Sequence, residues 1–333
     1  ASGTHGAIII GWDAAYESSG NMDVMIGRGA GWRSRTRHYG FGNDGSIFLG
    51  NHAGSGLHTS VGISDDHGTI AIGFQALANT DHPSIYTADH GGATVAIGKN
   101  AGYGSAFIGP SVLIGEDAGA GASGQFTIDD DESSGSGASA RDIIAIGYRA
   151  GQNVSGVVKS SAGIYIGREA GSAAREAQTS QFIGLQAGYQ SFSADQCVYL
   201  GNYAGHAVTG DIQSIGIGPY AAHEQKDVSC NTCIGESAGR SASGVTQSVI
   251  IGQGAGSDAK DWYRLVAIGR DAGMGAEKKL SNSQLYSTNM IGYAAGKWAS
   301  GCDYSNMMGY EAGYKASGCY LFDMMGHRAG MGA

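Results

Sequence analysis

Five cysteines, ten histidines and one acidic run are the residues of this chain best suited to chemistry. Cys230-Asn231-Thr232-Cys233 has the spacing of half a zinc site, but no second pair accompanies it, so no zinc centre is expected. Cys302 and Cys319 stand 17 residues apart. If that interval is one structural repeat, the two lie about 4.8 Å apart, as small buried hydrophobes in a column or as a disulfide. Asp129-Asp130-Asp131-Glu132 could attract Ca²⁺, yet the alternating order of an EF-hand loop is absent and a solvated acidic loop is expected. Asp81, His82, Asp89 and His90, with His52, His58 and His67 nearby, could be imagined as a metal clip; loop histidines without a ligand role are the plainer reading.

Other motifs fail on context. Gly27-Arg28-Gly29-Ala30-Gly31 lacks the Gly-Lys-Ser/Thr ending and the following helix of a phosphate loop. No HExxH occurs, and no GxSxG sits between a strand and a helix. Asn153-Val154-Ser155 fits a glycosylation sequon, one match in a long chain. Asp13, Glu169 and Asp271 share a register but stand several repeats apart, too far for paired acid–base work. The sequence therefore predicts no enzyme, no catalytic residue, no cofactor and no metal. Tyr148, Tyr293, Tyr310, Trp12 and Phe74 recur at one register and could stack on a sugar, though isolated surface aromatics explain them as well.

What must position all of these is a repeat. Seventeen times the chain returns to an aliphatic residue, Gly, two variable residues and Ala, usually followed by Gly. The anchoring glycines are Gly11, Gly27, Gly50, Gly73, Gly98, Gly115, Gly147, Gly167, Gly184, Gly201, Gly218, Gly235, Gly252, Gly269, Gly292, Gly309 and Gly326. Between Gly167 and Gly269 each step is 17 residues. A short fixed period means one unit stacked on itself. Usually Val or Ile three residues before the Gly, and Ile, Leu or Met one before it, make a period of two. The pattern predicts a short strand with these aliphatics on the inward face. The residue between them (Met25, Phe48, Leu113, Tyr165, Tyr199) is then expected to face outward, and its apolar character predicts a cover, most simply a second copy of the chain.

The Gly ends the strand, and the Ala, among them Ala14, Ala101, Ala187, Ala255 and Ala329, marks a tight inside corner. A helix would carry two or three glycines per period, each costing about 1 kcal/mol relative to Ala, and loses. The expected fold is all-β: a parallel β-solenoid, or β-roll, of about seventeen short coils at about 4.8 Å each. It fills residues 1–333 as one repeat domain. Loop insertions are expected near 32–46, 55–69, 78–93, 123–140 and 276–288, where the period lengthens.

With 29 acidic and 20 basic residues, net charge −9, the chain has no basic stripe for nucleic acid. No apolar run is long enough for a membrane span. It opens at Ala1 without Met or leader, so a removed signal or a longer parent chain is expected. Neither end has room for a polar cap, which predicts either a piece of a longer rod or head-to-tail stacking into an open filament.

Val95-Ala96-Ile97-Gly98-Lys99-Asn100-Ala101-Gly102 resembles the head repeats of trimeric autotransporter adhesins (YadA-like). Ile146-Gly147-Tyr148-Arg149-Ala150-Gly151 and Ile72-Gly73-Phe74-Gln75-Ala76-Leu77 are similar to the repeat arrays of phage tail fibres and bacterial surface proteins. The resemblance implies a parallel β-roll, a homotrimer, and a role in adhesion or as a fibre shaft. The expected function is a self-assembling structural subunit of an extracellular fibre or viral tail fibre, located outside the cell, at the cell surface or on a virion. The alternative is an adhesin head that binds a host glycan or cell-surface receptor.

Overall fold

The structure is a computed structural model. It describes residues 7–18, 24–36, 45–59, 69–82, 94–105, 111–125, 143–157, 163–176, 179–276, 287–296, 299–300, 306–313, 315–317, 323–327 and 329–330. These residues contain strands and turns and no helix. The chain divides into two compact units, Ala1–Thr179 and Ser180–Ala333.

Unit 1 is built on eight parallel strands: Ile8–Ile10, Val24–Ile26, Ile47–Leu49, Ile70–Ile72, Val95–Ile97, Val112–Ile114, Ile144–Ile146 and Ile164–Ile166. Unit 2 repeats the design with nine: Gln181–Ile183, Val198–Leu200, Ile215–Ile217, Thr232–Ile234, Val249–Ile251, Leu265–Ile268, Thr288–Ile291, Asn306–Met308 and Asp323–Met325. The chain is thus a parallel β-solenoid, as the repeat predicts. Register survives the longer steps: Ile26 pairs with Leu49, and Ile114 with Ile146, so the extra residues leave no trace in the ladder.

The anchoring Gly is fixed by its neighbour one coil on. Gly115 has φ +134°, and a Cβ there would lie 2.4 Å from the carbonyl oxygen of Gly147. No other residue fits such an approach. The corner that follows has an unexpected backbone. Every second residue takes a left-handed conformation, as in Tyr203 (φ 59°), Gly205 (φ 61°) and Ala207 (φ 54°). This alternation turns successive N–H groups up and down the stack: Tyr203 N–H donates to Leu185 O, Gly205 N–H to Ala221 O, and Ala207 N–H to Tyr189 O. The corner is therefore paired between coils much as the strand is, and these bonds offset the roughly 1–2 kcal/mol that each left-handed non-glycine residue costs.

The return path pairs more sparsely. In unit 1 it forms Arg35–Thr36, His58–Thr59 and Asp81–His82 in one ladder and Ser123–Gln125 with Ser155–Val157 in another. In unit 2 it is a run of single bridges such as Thr209 with Lys226 and Thr246 with Tyr263.

One expectation is overturned. The middle residue of the strand, expected outside, is the buried one. Met25, Phe48, Leu113, Tyr165, Phe182, Tyr199, Ile250 and Met307 are all enclosed. The flanking Val and Ile residues, expected inside, are half-exposed or exposed. The physical reason is space. Each coil closes over a single inward side chain from this strand, and its room is made by the Gly after the corner Ala. A Cβ on Gly205 would lie 2.1 Å from the ring of Tyr199, and one on Gly188 2.3 Å from the ring of Phe182. Two of the three copies that lack this Gly carry a small strand residue instead: Leu77 accompanies Ala71, and Ala222 accompanies Gly216. The corner alanines Ala101, Ala187 and Ala255 are fully buried, while Ala14 and Ala329, in the first and last described coils, are partly exposed.

Candidate functional site: an exposed aliphatic face

Because the middle residue turns in, its two neighbours turn out, and stacking aligns them in two rows. In unit 1 the row next to the anchoring glycines runs Ile10, Ile26, Leu49, Ile72, Ile97, Ile114, Ile146, Ile166, and the companion row is Val and Ile throughout. Ile26, Ile97 and Ile146 retain 36–38% exposure. In unit 2 the same face carries Ile183, Leu200, Ile215, Ile217, Val249 and Ile251. Toward Asp323 its companion row changes chemistry. Asn289 donates to Asn306 Oδ1 at 2.8 Å, and Asn306 donates to Asp323 Oδ1 at 2.9 Å.

Polar and aromatic residues line other faces as columns with the same repeat. Lys99 meets Glu116 at 2.8 Å, and this contact raises the Lys99 pKa. Arg149 lies 3.6 Å from Asp117. Tyr293 stacks on Tyr310 at 5.0 Å, and Arg149 sits 4.9 Å from the centre of the Tyr148 ring. Trp12 and Phe74 are exposed, and Asn153 is an exposed corner residue.

The interior of unit 2 holds a polar cluster around Asp211. Asp211 is fully buried and accepts hydrogen bonds from Tyr199 Oη and Ser214 Oγ. Burial drives its pKa up to about 6, against the opposing effect of those two donors. The thiols of Cys197 and Cys233 are likewise pushed up to about 12 by burial, so neither is a ready nucleophile. Cys230 is exposed and Cys233 buried, so the CxxC pair points to different environments.

A buried polar column at the strand entrance escaped the sequence reading. Cys197 N–H donates to Ser180 Oγ, Asn231 N–H to Ser214 Oγ, Ser248 N–H to Asn231 Oδ1 and Leu265 N–H to Ser248 Oγ. Its signal was available: small polar residues recurring four places before the anchoring Gly. Its role is to satisfy backbone at a buried bend.

Cys302, Cys319, His67, Asp89, His90 and the run Asp129–Glu132 lie outside the described residues. His52 is described, with its ring over Gly29, while His58 and Asp81–His82 are backbone partners in one ladder. Among the described residues no group of three or more His, Cys, Asp or Glu could hold a metal ion, and no helix is long and apolar enough to cross a membrane. No protein-family model matches the chain, and no curated protein matches it.

Proposed function

We propose that this chain is a structural β-solenoid subunit that self-associates through its aliphatic face to build a fibre, of the extracellular or virion kind that its repeats resemble. The observation that carries the reading is the unbroken pair of Val/Ile rows left outward in unit 1. Isolated surface aliphatics need no explanation, but contiguous ones do. At about 4.8 Å per coil and about 12 Å across two side-chain rows, the face covers roughly 450 Å² in unit 1 and about 500 Å² in unit 2. The patch in unit 1 is by itself of the size that marks an interaction site. A flat, regular sheet face suits an identical sheet face, which makes another copy of the chain the natural cover.

An adhesin head that grips a glycan gains little from the aromatic columns. Tyr203 and Tyr220 stack face to face at 5.0 Å with 3° between planes, so one face of each ring is taken up by its neighbour. Sedimentation velocity with negative-stain microscopy tests the proposal. The purified chain is expected to be oligomeric or fibrous, and the double variant Ile97→Lys/Ile146→Lys to shift it toward monomer with its strand spectrum intact. A monomeric wild-type chain would sink the proposal.

A further inference from the structure

Five residues after successive anchoring glycines in unit 2 stand Tyr189, His206, His223 and Arg240. Stacking has made them a column. Tyr189 and His206 have ring centroids 5.3 Å apart with planes at 20°, and His206 and His223 are 5.0 Å apart at 10°. Tyr203 and Tyr220 flank the imidazoles, with centroids 5.9 Å from His206 and 5.5 Å from His223 respectively. The Nδ1 atoms of both histidines are buried and meet no hydrogen-bond partner. A neutral imidazole tolerates this by leaving Nδ1 bare; an imidazolium must carry N–H on both nitrogens and would bury an unpaired donor. The acidic group nearest the pair is Glu224, 3.8 Å from His223 Nδ1 and largely in solvent. The remaining charged neighbour is Arg240, next in the column, and the other rings packed on the pair are Tyr189, Tyr203 and Tyr220.

We propose that the His206–His223 column is an acid-sensitive latch: neutral, it holds its coils stacked, and protonated, it puts like charges on adjacent coils together with Arg240 and loosens unit 2. Like charges placed directly opposite on paired strands are destabilising. Burial is the main cause that lowers both imidazole pKa values below the ordinary 6.5; Glu224 opposes it for both and the His206 backbone opposes it for His206, while for His223 the neighbouring His206 and Arg240 reinforce it. A lowered folded-state pKa means that stability is complete above the unfolded value and is lost as pH falls through the folded one. The window is therefore mildly acidic. It is independent of whether the chain forms fibres.

The test compares the full-length wild-type chain with His206→Phe/His223→Phe, which keeps two stacked rings and removes their titration. Thermal unfolding followed by circular dichroism from pH 7.5 to 4.5 is expected to show the wild type losing several degrees relative to the variant as pH falls. Parallel pH profiles would overturn the latch. Imidazole titration by NMR on the wild-type chain decides the matter even if the double variant fails to fold. Both midpoints are expected below 6.5, and a midpoint at or above 6.5 for either histidine overturns the proposal.

Discussion

At the scale of single residues, two kinds of glycine do different work. The anchoring glycines face backbone one coil on, and most glycines after the corner Ala face a side chain of their own coil. Gly115→Ala sets a methyl 2.4 Å from a carbonyl oxygen at φ +134°. Neither the backbone nor the stack can yield, so a loss of more than about 2 kcal/mol is expected in chemical denaturation. Asp211 offers a residue-scale prediction in pH. Its folded-state pKa is raised, to about 6, above the ordinary carboxylate value. Its contribution is therefore fully present below the unfolded pKa near 4 and is lost as pH rises through 6. Relative to Asp211→Asn, the wild-type chain should lose about 2–3 kcal/mol between pH 4 and pH 7, measured by urea unfolding at each pH. This runs opposite to the histidine column, so the two variants separate the contributions.

At the scale of the coil, volume is traded within each repeat. Leu77 stands where most copies have Gly, and its own strand contributes Ala71. Ala71→Leu alone overpacks that coil, and Leu77→Gly alone hollows it. Made together they restore the commoner pairing of large strand residue and corner Gly. The double-mutant cycle should show a favourable coupling above about 1 kcal/mol; additive effects would contradict the trade. The alternating corner backbone also belongs to this scale. It is why the residue two places after the anchoring Gly is so often Asp, Asn, Gln or Glu, with Asp13, Asn100, Asp117 and Asp271 all left-handed. Asn and Asp tolerate that conformation better than most residues.

At the scale of each unit, stacking converts a repeat in sequence into columns in space. Outward positions become columns of side chains one coil apart, among them aliphatic, aromatic, imidazole and amide ones. The change from Val249 and Val266 to Asn289, Asn306 and Asp323 gives the outward face of unit 2 a polar end. A buried amide in an otherwise apolar contact fixes alignment at some cost in stability. If copies associate through this face, Asn289→Val/Asn306→Val should associate at least as tightly while losing a fixed alignment. Cross-linking from single cysteines placed in a variant lacking the native ones would read that change. Unchanged cross-links would show that the amides do not set alignment.

The repeat alone determined the architecture, because Gly at a fixed interval of 17 admits a stacked strand and excludes a helix. It also fixed register and the tight corner, since only Ala and Gly satisfy those contacts. It did not determine which face of the strand turns in. Alternation has two phases, and both faces of Val112-Leu113-Ile114 are apolar. Only closure of the coil chose between them, because the enclosed space admits one side chain from this strand, in most copies beside a glycine. From that choice follow the exposed aliphatic rows, the buried Asp211 and the stacked imidazoles, whose neighbours in space lie one full coil apart in the chain.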